Sequence, residues 1–416
     1  MTQLQHPTNR ISTQLIREKN KFLDLSAGSR RLVLANFCFI LVSTLVSYSA
    51  SAFLFRSTHD VLFNLNYFSG YFIGLSLGFL TGGLFLHFVR LNYLYIAAML
   101  IHAFSFLPLL FLKSITPAEV IVSGCLVGLG TGMYWGMRHY ITILSTTDGN
   151  RNYFGGVEYS LMTVAQLVAP VLFSVLTRDN GSNYLMGYIA VFVITTLLFL
   201  VAAFSIARGR YESIPLKRFI YLRYDKLWNI QRAINIFEGV AEGVFFFLPP
   251  ILIFHFFGNE SALGTVEFFA VLITTIPVYL LGRLTLPRHR IGMLTLSICA
   301  FFAGSLLLAL SFTIPGLMVF YVCYKLANVL NPFSYTTIRM RTIDRCSRLT
   351  RRDRFSFIFD SDVFMEIGRL SGLLIFYLLF RSAGEESAMR YALLIVAILQ
   401  CGSLWFCRKL THQVNL

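Results

Sequence analysis

Between Trp228 and Phe257 an otherwise apolar run carries Gln231, Asn235, Glu238 and Glu242, spaced i, i+4, i+7 and i+11. At 3.6 residues per turn these four side chains form one stripe of a helix. Carboxylates in such a stripe can carry a proton or meet the positive group of a zwitterionic solute, and facing lipid they would cost kilocalories. The stripe must therefore meet a partner helix or a watery cavity, either as a structural pair or as a working site. Pro249 and Pro250 follow, and the pair is expected to break the helical ladder and bend the chain beside a cavity.

Other constellations repeat the pattern. Lys325, Asn328, Pro332 and Tyr335 fall at i, i+3, i+7 and i+10, and Asp362, Glu366 and Arg369 at i, i+4 and i+7. Lys325 sits too far from either end of its run to snorkel, so it partners Glu238 or Glu242 or contacts an anionic group on a solute. Glu366 and Arg369 are spaced to pair along one helix, as a steadying ion pair or as a proton-coupling device. Earlier in the chain Asn36, Ser43 and Ser47 share a face, as do Tyr134 and Arg138, and Glu158 and Gln166. Arg138 lies near the end of its run and is read as a gate or a snorkelled surface charge. The first half is thus polar but nearly neutral, and the second carries the ionisable groups. The candidate substrate-binding or proton-coupling residues are Asn36, Tyr134, Asn235, Glu238, Glu242, Lys325, Asn328, Glu366 and Arg369.

Enzymatic motifs are missing from the chain. Gly74-Leu75-Ser76-Leu77-Gly78 matches G-x-S-x-G by letter, but it lies inside an apolar helical run rather than at a strand-to-helix turn. There is no HExxH, Walker A or CxxC pattern, so neither an enzyme nor an ATP-driven pump is expected, and no cofactor or metal. The seven cysteines fit buried thiols without a disulfide framework.

The elements that must position these groups follow from composition. A 416-residue chain that is 56% hydrophobic and 13% charged, with mean hydropathy +0.67, is a polytopic membrane protein. Residues 1–31 are polar and basic with no cleavable signal, and the first apolar run is of spanning length. Runs long enough for a bilayer, about 20 residues each, occur at 32–55, 65–88, 91–112, 118–140, 155–176, 184–207, 227–257, 263–284, 291–312, 316–338, 357–380 and 388–407. The expected fold is an all-α polytopic membrane protein with twelve transmembrane helices in two pseudo-symmetric six-helix bundles. Its parts are a cytoplasmic tail at 1–31, a first bundle at 32–207, a cytoplasmic linker at 208–226, a second bundle at 227–407 and a short cytoplasmic tail at 408–416.

The net charge of +15 has its explanation in side preference rather than in nucleic acid. With the N-terminus inside, 27 of the 35 Lys and Arg residues fall on the cytoplasmic side, five on the other and three within spans. Both termini are therefore expected in the cytoplasm. Arg339 to Arg354 is read as a basic loop on that side, close to lipid headgroups. The sequons at Asn180 and Asn259 lie in very short connections and are read as chance.

Gly82-Gly83-Leu84-Phe85-Leu86, with Arg90-Leu91 after it, recurs 200 residues later as Gly282-Arg283-Leu284-Thr285-Leu286, with Arg290-Ile291 after it. Such a repeat implies two halves in parallel orientation. Gly70, Gly74, Gly78 and Gly82 stand four apart, and so do Gly124, Gly128, Gly132 and Gly136, each forming a ridge for close helix approach. Gly74, Gly78, Gly82, Gly128 and Gly132, with Arg90 and Arg138, are the candidates for helix packing or gating.

On these residues the chain resembles the major facilitator superfamily of transporters. The family's G-x-L-A-D-R-x-G-R-R pattern appears in part as GGLFLHFVRL, with Gly82, Leu84 and Arg90 matching and Leu86 in place of the acidic residue. The G-P motif of proton-driven exporters appears only as Ala169-Pro170, which argues against the drug antiporters. DVFMEIGRLSG resembles a pattern of a poorly characterised bacterial branch. A monomer is expected, and the compact loops and lack of a targeting peptide point to a bacterial inner membrane; the resemblance implies a secondary transporter working by rocking-type alternating access. Together with the polar stripes it leads us to expect proton coupling and a small anionic or zwitterionic solute, siderophore-like molecules included. An exporter or flippase for a drug or lipid-like amphiphile, and a sensor or scaffold that transports nothing, are the competing expectations.

Overall fold

The structure, a computed structural model, describes residues 19–105, 107–108, 115–145, 151–177, 184–209, 211, 219–284 and 290–414. No strand occurs among them. Helices α1 (Ala27–Thr58), α2 (Val61–Phe85), α3 (Leu91–Ser105), α4 (Pro117–Ser145), α5 (Arg151–Leu176) and α6 (Tyr184–Ala207) precede the linker. After it come α7 (Lys226–Phe257), α8 (Glu260–Leu284), α9 (Arg290–Ser311), α10 (Ile314–Thr350), α11 (Arg354–Ala383) and α12 (Glu385–Val414). Among the described residues eight helices, α1, α2, α4, α6, α7, α9, α11 and α12, are long and apolar enough to cross a membrane. Shorter apolar stretches lie in α3, α5 and α8.

Helix ends follow local chemistry. Asp60 and Asp353 accept from the backbone N–H of Leu62 at 2.8 Å and Phe355 at 2.7 Å, which satisfies N-terminal donors of α2 and α11. Gly258 takes φ +71 after α7, the left-handed cap that lets α8 start at once.

Packing is tightest along two seams of small residues. The α2 ridge meshes with the α4 ridge: a Cβ on Gly74 would stand 2.0 Å from the Cys125 carbonyl oxygen, and one on Gly128 2.0 Å from that of Tyr71. Gly78 and Gly132 are as close to the Leu129 and Leu75 carbonyls, at 2.3 and 2.1 Å. Gly82 is approached closely by the flexible tip of Met137, at 3.0 Å, with Met133 at ordinary contact distance. In the second half α7 and α11 do the same, with Gly239 against Met365 and Gly368 against Ile236. Interlocked backbones of this kind hold two helices at a fixed separation.

Three expectations are corrected. Pro249 and Pro250 do not break α7, which runs unbroken through both to Phe257. Residues 339–350 are not a loop but the last three turns of α10, capped by Arg351 in the left-handed conformation. The cysteines are not uniformly buried: Cys38, Cys346 and Cys407 are, whereas Cys299 and Cys401 are exposed, and all seven thiols are free. The gate candidate Arg90 is exposed just before α3, and Leu286 of the second motif copy lies outside the described residues.

Candidate functional site

Six helices surround a cavity of about 510 Å³. The first half gives it a neutral wall of hydrogen-bonding side chains, Ser43, Ser47 and Tyr48 from α1 and Thr163 and Gln166 from α5. The second half gives it charge, with Glu242 from α7, Glu267 from α8, Lys325 from α10 and Arg369 from α11, along with Asn328. Arg369 lies near the midpoint of α11, so the cavity sits at the middle of the helices.

Arg369 is the centre of this wall. Its guanidinium donates to Glu242 Oε2 from Nε at 2.9 Å and from Nη2 at 2.5 Å, and Nη1 donates to Glu366 Oε1. Glu366 is 2% exposed behind the wall, whereas the Glu242 side chain is 35% exposed into the cavity. Aromatic faces of Phe72 and Phe246 flank the guanidinium, each centroid at 5.5 Å. The pairing of Glu366 with Arg369 along α11 follows the spacing, and the bond to Glu242 adds a second helix to it.

Lys325 does not pair with Glu238 or Glu242. Its ammonium lies 2.6 Å from Glu267 Oε2, and Tyr321 donates to the other oxygen of that carboxylate at 3.4 Å. The helical spacing does not single out Glu267, although a lone acid between Val266 and Phe268 in an apolar run is a visible signal.

The remaining candidates stand behind the wall. Asn235 accepts from Gln231 at 2.8 Å and Tyr335 at 2.7 Å and donates to Ser361 at 2.9 Å, tying α7 to α10 and α11. Glu238 faces Asn331 and Gln400 on α10 and α12. In the first half Glu158 takes Arg138 in a two-pronged pair, at 3.1 and 2.5 Å, and accepts from Asn36. Tyr95 and Tyr134 both donate to the Asn36 carbonyl, each at 2.9 Å. Arg138 is thus no snorkelled surface charge but part of a buried network, with Trp135 5.2 Å from its guanidinium.

The two halves of the chain touch at both ends of the cavity. Where α5 meets α8, a Cβ on Gly264 would stand 2.5 Å from the Pro170 carbonyl, and Phe55 of α1 stacks on Phe254 of α7 at 6.0 Å. At the linker end Phe219 is buried against Phe355 and Phe359 of α11, at 5.5 and 5.2 Å, and against Gly83 of α2. A polar chamber at mid-depth, charged on one side and bounded by helix contacts above and below, is the architecture of a membrane transporter rather than of an enzyme.

Residues 32–350 match the family model of the Major Facilitator Superfamily, and the chain belongs to that superfamily. Its fold is similar to that of the nucleoside transporter NupG, with a TM-score of 0.65 over 92% of this chain and 100% of that one at 13% identity. A Bacillus subtilis (strain 168) relative described as the uncharacterized protein YqgE is 24% identical over 288 residues, 68% of this chain. That match spans 66% of the relative's length, just short of two thirds.

Proposed function

We propose that this protein is a proton-coupled secondary transporter for a small anionic or zwitterionic organic solute, bound in the cavity between a first bundle at 32–207 and a second at 227–407. The observation that carries the reading is Arg369 held on the cavity wall by two carboxylates at once. Within that trio one negative charge is in excess. A proton on Glu366 or Glu242 balances it and loosens one arm of the guanidinium fork, which can then take a solute carboxylate with two parallel hydrogen bonds. Glu267, released from Lys325, can take an amino group, while Lys325 takes a second acid.

A solute that exchanges into existing ion pairs leaves no buried charge uncompensated, which is the condition for carrying ions through a low-dielectric interior. The cavity volume lies within the roughly 300–1,000 Å³ of small-molecule sites, enough for a metabolite or a compact siderophore-like acid. Twelve helices, rocking of the two bundles about the cavity, both termini in the cytoplasm and a bacterial inner-membrane location complete the proposal. Phe245, Phe246 and Val271 on the same wall favour a solute with an apolar part, and an amphiphile exporter is the second reading they support.

The test is a thermal-shift screen of the purified protein against organic acids, zwitterions, cationic drugs and lysolipids. A ligand at 100 times its dissociation constant adds about 2.7 kcal/mol to the folded state. Acids or zwitterions that stabilise the protein, and do so less in Lys325→Ala, support the reading. Stabilisation by cationic drugs or lysolipids alone replaces it with the amphiphile reading, and a protein that responds to no class is a scaffold.

A further inference from the structure

The last residues of the linker, 219–225, lead into α7, and one of them leaves the surface. Phe219 is 4% exposed, whereas Leu222, three residues on, is 91% exposed. The Phe219 ring stands nearly perpendicular to those of Phe355 and Phe359 on α11. It also meets Gly83 of α2, where a Cβ would come within 2.8, 3.0 and 3.3 Å of three of its ring carbons. Those are the atoms nearest to that position, so Gly83 turns to the linker while Gly82 turns to α4. Beyond Phe219 the segment is fastened to the second half. Tyr224 donates to the Ser356 carbonyl at 3.2 Å, and Arg352 donates to the Arg223 carbonyl at 2.8 Å with its guanidinium 4.3 Å from the Tyr221 ring. The Phe219 ring is thus carried by the second half and seated on a helix of the first.

We propose that Phe219 is a plug that holds the linker end of the chamber shut, with Gly83 as its socket, and that this end opens only when the ring leaves the socket. Ion pairs toward that end stay within one half: Arg138 with Glu158 in the first, Arg232 with Asp360 and Arg354 with Asp344 in the second. They bind helix to helix inside a bundle and not bundle to bundle. Helix α2 has no acid along its length, and Leu86, which stands where the family pattern has one, is itself buried. Side chains that cross between the halves here are aromatic: Phe219 on Gly83, and Tyr140 of α4 edge-on to Phe355 of α11 at 6.4 Å. An apolar contact is non-directional and scales with the area it covers. It can therefore part and re-form without stranding a charge, which breaking a buried ion pair would do.

The plug concerns access to the chamber rather than what the chamber holds, so it stands whether or not the solute reading does. It gives the linker a part in the closure of one end. The opposite end closes by direct helix contacts, Gly264 of α8 against the Pro170 carbonyl and Phe55 of α1 on Phe254 of α7. The glycine pair of the motif divides its work accordingly, Gly82 admitting α4 and Gly83 admitting the ring.

The experiment introduces Ser47→Cys on the chamber wall of the full chain and measures its labelling by a membrane-impermeant maleimide in oriented vesicles. The reagent is added on the linker side or on the opposite side, and the peptide carrying residue 47 is quantified by mass spectrometry. Adding Phe219→Ala should speed labelling from the linker side by roughly tenfold, the population shift that losing one well-packed aromatic contact allows, and should not speed it from the opposite side. Phe219→Leu, which refills most of the socket, should stay near the parent. Gly83→Val, which evicts the ring from the other side of the contact, should match Phe219→Ala, and the two changes together should give no more than either alone. Should Phe219→Ala fail to fold, Gly83→Val decides. Labelling that is unchanged in both variants overturns the plug, and so does equal acceleration from both sides, which marks a general loosening rather than the release of one end.

Discussion

The two halves of the chain bury charge in opposite ways. In the first, Arg138 and Glu158 form a one-to-one pair whose carboxylate also accepts from Asn36, itself held by two tyrosine hydroxyls. Its charges are matched and it lines no part of the cavity. In the second, one guanidinium serves two carboxylates, and it does so on the cavity wall. A closed pair of matched charge is a strut, whereas an overcommitted cation beside open space is a site that can trade partners. In the proposed reading it is the stoichiometry and access of buried charge, not burial alone, that separate the solute site at Arg369 from the strut at Arg138.

The contrast is broken most severely at Arg369. Arg369→Gln leaves two carboxylates facing each other, and stranding buried charge costs about 3–5 kcal/mol. Both the melting temperature and solute binding should collapse, and adding Glu366→Gln should restore folding but not binding. Glu158→Gln strands Arg138 in the sealed network instead. Its melting temperature should fall by an amount of the same order, while the dissociation constant of the folded fraction stays within twofold of wild type. If Glu158→Gln changes affinity as Arg369→Gln does, the distinction between strut and site is lost.

A smaller effect sharpens the same comparison within the glycine seam. Gly74→Ala drives a Cβ into the Cys125 carbonyl oxygen and should cost about 1–3 kcal/mol of overpacking. Gly82→Ala crowds the movable Met137 methyl and otherwise meets Met133 at ordinary contact distance, so it should cost less than half as much, read from paired thermal melts. Equal costs would mean that the seam is not the rigid joint its distances describe.

How much of this the sequence carries depends on whether a signal is local. The stripe from Gln231 to Glu242 and the triad from Asp362 to Arg369 are periodic within single helices, so their shared faces are visible in the spacing. Superfamily membership is visible in the motif around Gly82 and in the hydropathy. What spacing does not reveal is which helix stands opposite. The partner of Lys325 is Glu267 on α8, and Glu238 turns away from the cavity although Glu242, four residues on, faces it; a 40° offset between i and i+4 suffices when two environments meet at that edge. Residues 339–350 read as a loop because charge marks a membrane boundary but not a helix end. There Arg339 reaches Asp362 at 3.5 Å and Asp344 takes Arg354 at 2.9 Å, so the helix continues into the polar layer with its charges paired to α11. Pro249 and Pro250 read as a break because proline removes donors, yet α7 carries both within an unbroken helix, with Pro250 on the cavity wall.

The most direct test of the central claim reconstitutes the protein into proteoliposomes and measures accumulation of a solute identified by binding, with and without an imposed pH gradient, in the wild type and in Glu366→Gln. Two carboxylates that share one proton around Arg369 predict gradient-driven accumulation in the wild type, and a variant that loses accumulation but keeps solute exchange across the membrane at equilibrium. Accumulation that ignores the gradient, or a Glu366→Gln variant that concentrates solute as the wild type does, would contradict the account.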